Sequence, residues 1–291
     1  MTRFSYPRRL VRSLRRVATR YSPSRAIQLA LPLARHLRGG QSWVATGCGD
    51  HALIVDATDI YIGGSIMTSG SYGRREFDRA IELLRRNDRL HGQLAFLDVG
   101  ANIGTHTVYA LRSGLFTRVI AIEPAPRNVA LLRANVALNG MTGRVAVREA
   151  AAGTSGGTAR LYLDEINHGG HSLERRDLPH SVDVPVVRLD DVLAHETLGA
   201  GDVGLVWIDA EGSEIDCVGG MPRMLDASVP LVLEFNAAKY GQAKTTEFCG
   251  QLASHYSSFA VLSDEQLTVR PIVELGGVPL PAHGFFDIVV F

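Results

Sequence analysis

The stretch Phe96-Leu-Asp-Val-Gly-Ala-Asn-Ile-Gly-Thr-His-Thr107 constrains the fold more than any other part of the chain. An apolar run, Leu94 to Leu97, ends in the carboxylate Asp98. Gly100, Ala101, Asn102 and Gly104 then form a short glycine-bearing turn, and Thr105 opens a helical segment through Leu111. The pattern predicts a buried parallel strand, a tight turn and a helix start. Such a turn lets a ligand approach the backbone and lie across a helix N-terminus. It is the first unit of a doubly wound α/β sheet, in which ligands sit beyond the carboxyl ends of the strands.

The spacing excludes some ligands. A dinucleotide turn reads G-x-G-x-x-G. Here Asn102 takes the place of the middle glycine, and the last glycine arrives one residue early. No Lys-Ser/Thr follows, as a Walker loop would need. With 291 residues the chain holds one large α/β domain plus extensions. Formal net charge is zero but uneven: the segment before Asp50 has ten arginines and no Asp or Glu, so the remainder carries 20 Lys plus Arg against 30 Asp plus Glu. An acidic body argues against a nucleic-acid groove. Cys48, Cys217 and Cys249 are odd in number and widely spaced, which suggests reduced thiols and neither a disulfide framework nor a zinc site. No apolar run approaches the roughly 18 residues of a membrane span.

In chain order, residues 1–40 read as a basic arm. It contains two candidate amphipathic helices, Pro7 to Arg20 and Ser24 to Arg38. Three readings stay open: a loosely ordered arm on the acidic body, peripheral contact with an anionic membrane or a partner, or an organellar targeting segment. Residues 41–93 read as a small β/α extension: Ala52 to Val55 and Ile60 to Ile62 as a hairpin, then a helix from Arg74 to Arg86 with Phe77, Ile81 and Leu84 on one face. The main domain spans 94–291. Its second strand, Arg118 to Ile122, ends in Glu123-Pro124, and Glu123 lies 19 residues beyond Gly104. That is where an acidic residue accepts the two hydroxyls of a ribose. A helix from Pro126 follows, then a third strand, Val145 to Arg148, and Glu149-Ala150. Extra strands are expected at Leu161 to Leu163 and Val182 to Val187. The polar loop between them carries His168 and His171, too few ligands for a metal. A fourth strand ends in Asp209-Ala-Glu-Gly212, a fifth in Glu234-Phe235-Asn236, and Phe285 to Phe291 is a final apolar strand.

The segment Asp98-Val-Gly-Ala-Asn-Ile-Gly104 resembles the first motif of class I S-adenosylmethionine-dependent methyltransferases, and more closely that of the FkbM family. Ile208-Asp-Ala-Glu-Gly-Ser-Glu214 is similar to the I-D-x-E-G-x-E that the family carries after its fourth strand. The resemblance covers roughly residues 50–240. It implies a seven-stranded, mostly parallel, Rossmann-like sheet with an antiparallel last strand, preceded by a small β element and a helix. It also implies an adenine edge against Glu149 and Ala150, and O-methylation of a sugar, polyketide or glycolipid hydroxyl. Relatives usually have lysine where Trp207 stands, so a cation there is missing.

Asp98, Glu123 and Asp209 end the first, second and fourth strands, and one cleft collects all three. Three carboxylates need a positive or hydrogen-donating ligand. S-adenosylmethionine supplies an amino group, a sulfonium and two ribose hydroxyls, and its own carboxylate suits the glycine turn. The expected donor contacts are Asp98, Gly100, Ala101, Asn102, Gly104, Thr105, Glu123, Pro124, Glu149, Ala150 and Asp209. Asp209, Glu211 and His106 are the candidates for a general base. Without the D/N-P-P-Y/F of amino-directed enzymes, Asp209-Ala-Glu-Gly212 favours an oxygen acceptor. The acceptor pocket is expected from the 63–73 stretch, the 164–181 loop and the segment after Asn236. Rival readings are a nicotinamide-dependent oxidoreductase and a non-catalytic adaptor with a degenerate site and a membrane- or partner-binding arm. The expected location is the cytoplasm, with peripheral membrane contact through residues 1–40 as an option and no nucleic-acid partner.

Overall fold

A computed structural model describes residues 42–91, 94–282 and 284–291. The basic arm at residues 1–40 lies outside them. The chain divides into two units. One takes the described residues up to Tyr72 together with Glu165–His168, and the other takes Gly73–Asp164 and Gly169–Phe291.

In the first unit, β1 (Trp43–Gly47) pairs antiparallel with β2 (Ala52–Asp56), and α1 (Ile62–Ser69) follows. The hairpin therefore sits earlier than expected, and Ile62 begins a helix instead of ending a strand. Asp59 explains the difference. Its carboxylate accepts the backbone N–H of Tyr61 at 3.0 Å and of Gly63 at 3.0 Å. Capping the first exposed donors in this way favours a helix start over an extended strand. β1 is exposed along most of its length, Trp43 and Val44 included.

The second unit holds α2 (Arg74–Arg86), which buries Phe77, Ile81 and Leu84 as its periodicity predicts. The strands and helices that follow are β3 (Leu94–Val99), α3 (Thr105–Arg112), β4 (Phe116–Ile122), α4 (Pro126–Leu138) and β5 (Val145–Arg148). After an interlude come β9 (Val203–Ile208), α6 (Glu214–Gly219), α7 (Pro222–Asp226), β10 (Leu231–Phe235), α8 (Ala237–Tyr240), α9 (Gln242–His255), β11 (Ser258–Val261), β12 (Arg270–Pro271) and β13 (Phe286–Val290). The interlude carries β6 (Ala151–Ala152), β7 (Gly157–Leu163) and β8 (His180–Val187), which form their own sheet in the order β6-β8-β7, and then α5 (Leu189–His195).

The main sheet runs β12-β11-β13-β10-β9-β3-β4-β5. Strands β10, β9, β3, β4 and β5 are parallel, while β13 is inserted antiparallel between β10 and β11. This is the expected doubly wound, Rossmann-like α/β sheet. The two-residue β12 adds an eighth strand at its edge. The chain reverses direction of travel at β3: it winds outward through β4 and β5, then returns to lay β9 on the other side. That reversal leaves the crevice in which α/β proteins bind ligands.

Alternation along β3 sends Leu97 and Val99 to one face, where they pack with Ile120, Ile122, Val206 and Ile208. Burying each such side chain contributes about 1.5–3 kcal/mol. Phe96 goes to the other face, edge-on to Phe77 of α2 at 6.1 Å and against Phe116 at 5.2 Å. Asp98, two residues on, shares that face and the same rung as Trp207 of β9.

At the carboxyl edge the turns after β3 and β9 touch. Gly100 has φ +77°, and a Cβ there would lie 1.8 Å from the carbonyl oxygen of Asp209. Nothing in that contact can yield, because both sides are backbone. Gly100→Ala is therefore expected to lower the free energy of unfolding by roughly 2–5 kcal/mol. Gly47→Ala, with nothing within 4 Å of the added atom, is expected to change it little. Urea denaturation of the two variants checks this, and equal effects would contradict the contact.

Candidate active site

The first turn is held by backbone bonds together with the side chains of Glu123 and Asn135. Gly100 and Ala101 both donate to the Ile122 carbonyl, at 2.9 and 3.0 Å, and Gly104 donates to Ala101 at 2.7 Å. Asn102 sits at φ +49° and donates its N–H to the Glu123 carboxylate at 2.8 Å. The same carboxylate accepts Ala125 N–H at 2.9 Å and the Asn128 amide at 3.4 Å. Glu123 thus orients the turn from the end of the neighbouring strand. Only 4% of it is exposed, and burial pushes its carboxyl up to about 7 against the pull of those donors.

Asp98 is 1% exposed and bonded to the Thr107 hydroxyl. Burial lifts it to about 7 as well, with Thr107 holding it back. Thr105 and His106 occupy the first turn of α3, where backbone N–H groups lack helical partners. Pro124 is half-buried beside Glu123, and Ala150 is buried just after β5. Glu149, by contrast, is exposed and lies 3.9 Å from Arg133.

The second turn follows β9. Asp209 N–H donates to Val99 at 2.9 Å, which ties it to the end of β3. Glu211 sits at φ +50°, a conformation that costs a non-glycine residue energy unless its surroundings enforce it. They do. Ser172 donates its hydroxyl to the Glu211 carbonyl at 3.0 Å, and Lys239 Nζ donates to the same oxygen at 2.6 Å. Fully buried Glu214 accepts Ala210 N–H at 3.2 Å and Gly212 N–H at 3.0 Å. Tyr240 reaches over from α8, donating to Glu214 at 3.1 Å and to the Glu234 carbonyl at 3.0 Å.

Around this turn the chain collects carboxylates. Strand alternation puts Asp209, Glu234 and Asp287 on one face of three adjacent strands, and Glu234 stands directly opposite Asp287 in the antiparallel register. Like charges directly opposite destabilise a sheet. Burial, then Glu211, Glu234, Asp287 and Glu214, drive the Asp209 carboxyl well above its ordinary range. Burial and then Glu234 push Glu211 to about 7, with Lys239 pulling it back. Burial, Glu234 and Glu76 push Asp287 to about 7. Ionising this edge therefore concentrates negative charge on one face.

His106 lies apart from that edge in character. It stacks on Trp207 at 4.3 Å and on Phe77 at 6.2 Å, and burial holds its ring to about 4, so it is neutral near pH 7. Trp207 fills an aromatic cluster with His106 and Phe77. A cation at this edge is nevertheless present, since Lys239 delivers it from α8. Sequence reasoning passed over both Lys239 and Asp287, although a lone carboxylate in the run Phe-Asp-Ile-Val-Val was a visible signal. Of the two loop histidines, His171 Nδ1 accepts the N–H of Asp164 at 2.9 Å, and His168 Nδ1 lies 3.8 Å from Asp56 within the first unit. Among the described residues no group of three or more His, Cys, Asp or Glu is arranged to hold a metal ion.

The raised carboxyls have a thermodynamic consequence. Asp98, Glu123, Glu211 and Asp287, each near 7, bind protons more tightly folded than unfolded. Their contribution is greatest at low pH and is lost as pH rises from about 4 through about 7. His106 acts with the opposite sign, one group against four. The melting temperature is expected to fall between about pH 5 and about pH 8. Asp287→Asn is expected to raise it at the upper pH and leave it unchanged at the lower. A melting temperature that climbs across the window, measured by calorimetry, would refute the buried-carboxylate account.

Comparison with known proteins identifies the family. The sequence profile described as the Methyltransferase FkbM domain matches residues 98–262. The 31-O-demethyl-FK506 methyltransferase FkbM of Streptomyces tacrolimicus is 32% identical over 160 residues, covering 45% of this chain and 60% of that protein. Methyltransferase 1 of Beauveria bassiana is 27% identical over 144 residues, covering 43% and 57%. The chain therefore spans rather less than two thirds of the curated relatives it matches. Among solved structures, an FkbM methyltransferase from Methylobacillus flagellatus superposes with a TM-score of 0.45 at 17% identity, covering 68% of this chain and 44% of that one. The profile match takes in both turns, Asp98 to Gly104 and Asp209 to Glu214, and more than half of the chain: this protein belongs to the FkbM family of methyltransferases.

Proposed function

We propose that the chain transfers a methyl group from S-adenosylmethionine to a hydroxyl oxygen of a small molecule of sugar, glycolipid or polyketide type. The observation that carries this is the row of carboxylates at the ends of β9 and β10 and the start of β13, beside a glycine turn with no phosphate-binding lysine.

The residues present fit the donor. Glu123 has about four lone-pair sites at the end of β4 and engages three donors, which leaves one for a ribose hydroxyl. The N-terminus of α3 suits a carboxylate. Asp209 and its neighbours suit an amino group and a sulfonium. When bound, the donor supplies a methyl carbon on a positively charged sulfur, which departs as a neutral thioether with the bonding electron pair.

The chain's own residues do the rest. Holding an acceptor oxygen in line with that carbon is worth on the order of 7–11 kcal/mol of barrier. As the oxygen forms its new bond, its proton passes to a base. Glu211, poised near neutrality by the opposing effects of burial and Lys239, is the best placed. Asp209, pushed well above its ordinary range by burial and then by Glu211, gives up its proton more readily when positive charge arrives. His106, neutral and packed among aromatic rings, serves to shape the wall behind α3.

A nicotinamide cofactor suits this edge poorly. Its pyrophosphate would bring negative charge toward Asp209 and Glu211, and Asn102 already spends its N–H on Glu123. An idle adaptor has no use for a carboxylate row that costs stability.

Cation binding must lower the raised carboxyl pKa values. Affinity for S-adenosylmethionine is therefore expected to rise from about pH 6 to about pH 8, and affinity for S-adenosylhomocysteine, which lacks the sulfonium charge, to rise less. Calorimetric titration across that range checks it, and absence of binding by either ligand would sink the proposal. Glu211→Gln is expected to lower kcat by about 10² to 10⁴, read by transfer of a labelled methyl group.

A further inference from the structure

Glu211 and Gly212 are consecutive left-handed residues, at φ +50° and +105°. Glycine accepts that geometry freely, whereas glutamate adopts it only under constraint. The peptide between them is the one that α8 grips. Lys239 stands at an exposed position, yet its side chain turns back across Gly212. A Cβ on Gly212 would lie 2.0 Å from its Nζ and 2.4 Å from its Cε. The ammonium ends 2.6 Å from the Glu211 carbonyl oxygen.

The choice of acceptor is informative. Burial raises the carboxyls of Glu211 and Glu234, and the charge of Lys239 opposes the rise at each. An ammonium beside two carboxylates would gain most by donating to one of them. Its hydrogen bond goes instead to a main-chain oxygen, so it fixes backbone as well as supplying charge.

The next residue grips the same turn from its other side. Tyr240 donates to Glu214 at 3.1 Å, and Glu214 accepts Ala210 N–H at 3.2 Å and Gly212 N–H at 3.0 Å. The helix that carries both residues is itself anchored. The Asn236 side chain caps it by accepting Lys239 N–H at 3.1 Å, and its amide donates to Glu234 at 3.3 Å. Ser172 takes the second lone pair of the Glu211 carbonyl at 3.0 Å. Chirality at Cα ties a side chain to its flanking peptide planes, so the plane that Lys239 pins also decides where the Glu211 carboxyl points.

We infer that Lys239 is a positioning residue for methyl transfer: by pinning the Glu211–Gly212 peptide it holds Glu211 in the backbone conformation that aims its carboxyl at the acceptor hydroxyl. This rests on Glu211 acting as the base, as proposed above, and identifies what keeps that base in place.

The test uses a feature of the sequence. Glu-Gly occurs once in 291 residues, at 211–212. The full chain labelled with carbonyl-13C glutamate and 15N glycine therefore gives one carbonyl–nitrogen NMR correlation, from the peptide that Lys239 contacts. The peak is expected to titrate with the Glu211 carboxyl, at a midpoint of about 7. Lys239→Met is expected to displace it and to raise the midpoint by about one pH unit or more. Lys239→Arg, which keeps charge and donors, is expected to restore most of both effects. Ser172→Ala removes a neutral donor and is expected to displace the peak without moving the midpoint. Lys244→Met is the control and is expected to change neither. In the labelled-methyl assay applied to Glu211→Gln, Lys239→Met is expected to lower kcat on the order of 10- to 10²-fold. The inference is overturned if Lys239→Met leaves the peak or kcat unchanged, if Lys244→Met moves the peak as far, or if arginine at position 239 behaves as methionine does. Calorimetry with S-adenosylmethionine on the same samples separates the two claims. Binding with an unresponsive peak removes this inference alone, whereas a responsive peak without binding removes the methyltransferase function and with it the catalytic meaning of the contact.

Discussion

Two loops of backbone meet where Gly100 faces the carbonyl of Asp209, with no room for a methyl group between them. Everything at the carboxyl edge follows from that contact. It brings the Asp98–Gly104 turn, with Glu123 behind it, against the Asp209–Glu214 turn, with Glu234 and Asp287 beside it. The hydrogen bond from Asp209 to Val99 fixes the spacing, so the two halves of the crevice are not independent. Any ligand lying across one turn would feel the charges of the other.

Those charges come at a cost to stability. A sheet with Glu234 and Asp287 on one rung and Asp209 alongside would be steadier with neutral residues there. Nearby offsets among the described residues are Lys239, Arg175, the Asn236 amide on Glu234 and the N–H and O–H groups that Glu214 collects. Active sites commonly carry such a deficit, because the interaction that removes it is the ligand itself. The left-handed conformations of Asn102 and Glu211 belong to the same pattern. Each is an unfavourable backbone geometry at the lip of the crevice, held in place by partners on neighbouring elements.

Much of this was legible in the sequence because period and punctuation coincide. The run Phe96 to Val99, Glu123 at the end of β4 and the Asp209-Ala-Glu-Gly212 turn announce themselves locally, and α2 buries the three residues its spacing selects. What escaped was set by partners distant in sequence. Ile62 reads as strand until Asp59 is seen to cap it. Trp207 reads as a lost cation until Lys239 is seen to arrive from another helix. Asp287 looks like an interruption in an apolar strand, and only the antiparallel pairing with β10 turns it into part of a charged row. Long-range pairing carries no local signature.

The placement of β13 has a kinetic side. It is made after β10 and β11 yet lies between them, so those two strands have no lasting partner on their facing edges until it emerges. During synthesis the nascent chain must keep a slot open in the middle of its sheet, with apolar strand edges on both sides exposed to mispairing or to chaperone capture. Asp287 travels in the same segment, so the acidic row and the sheet's continuity are completed in one event.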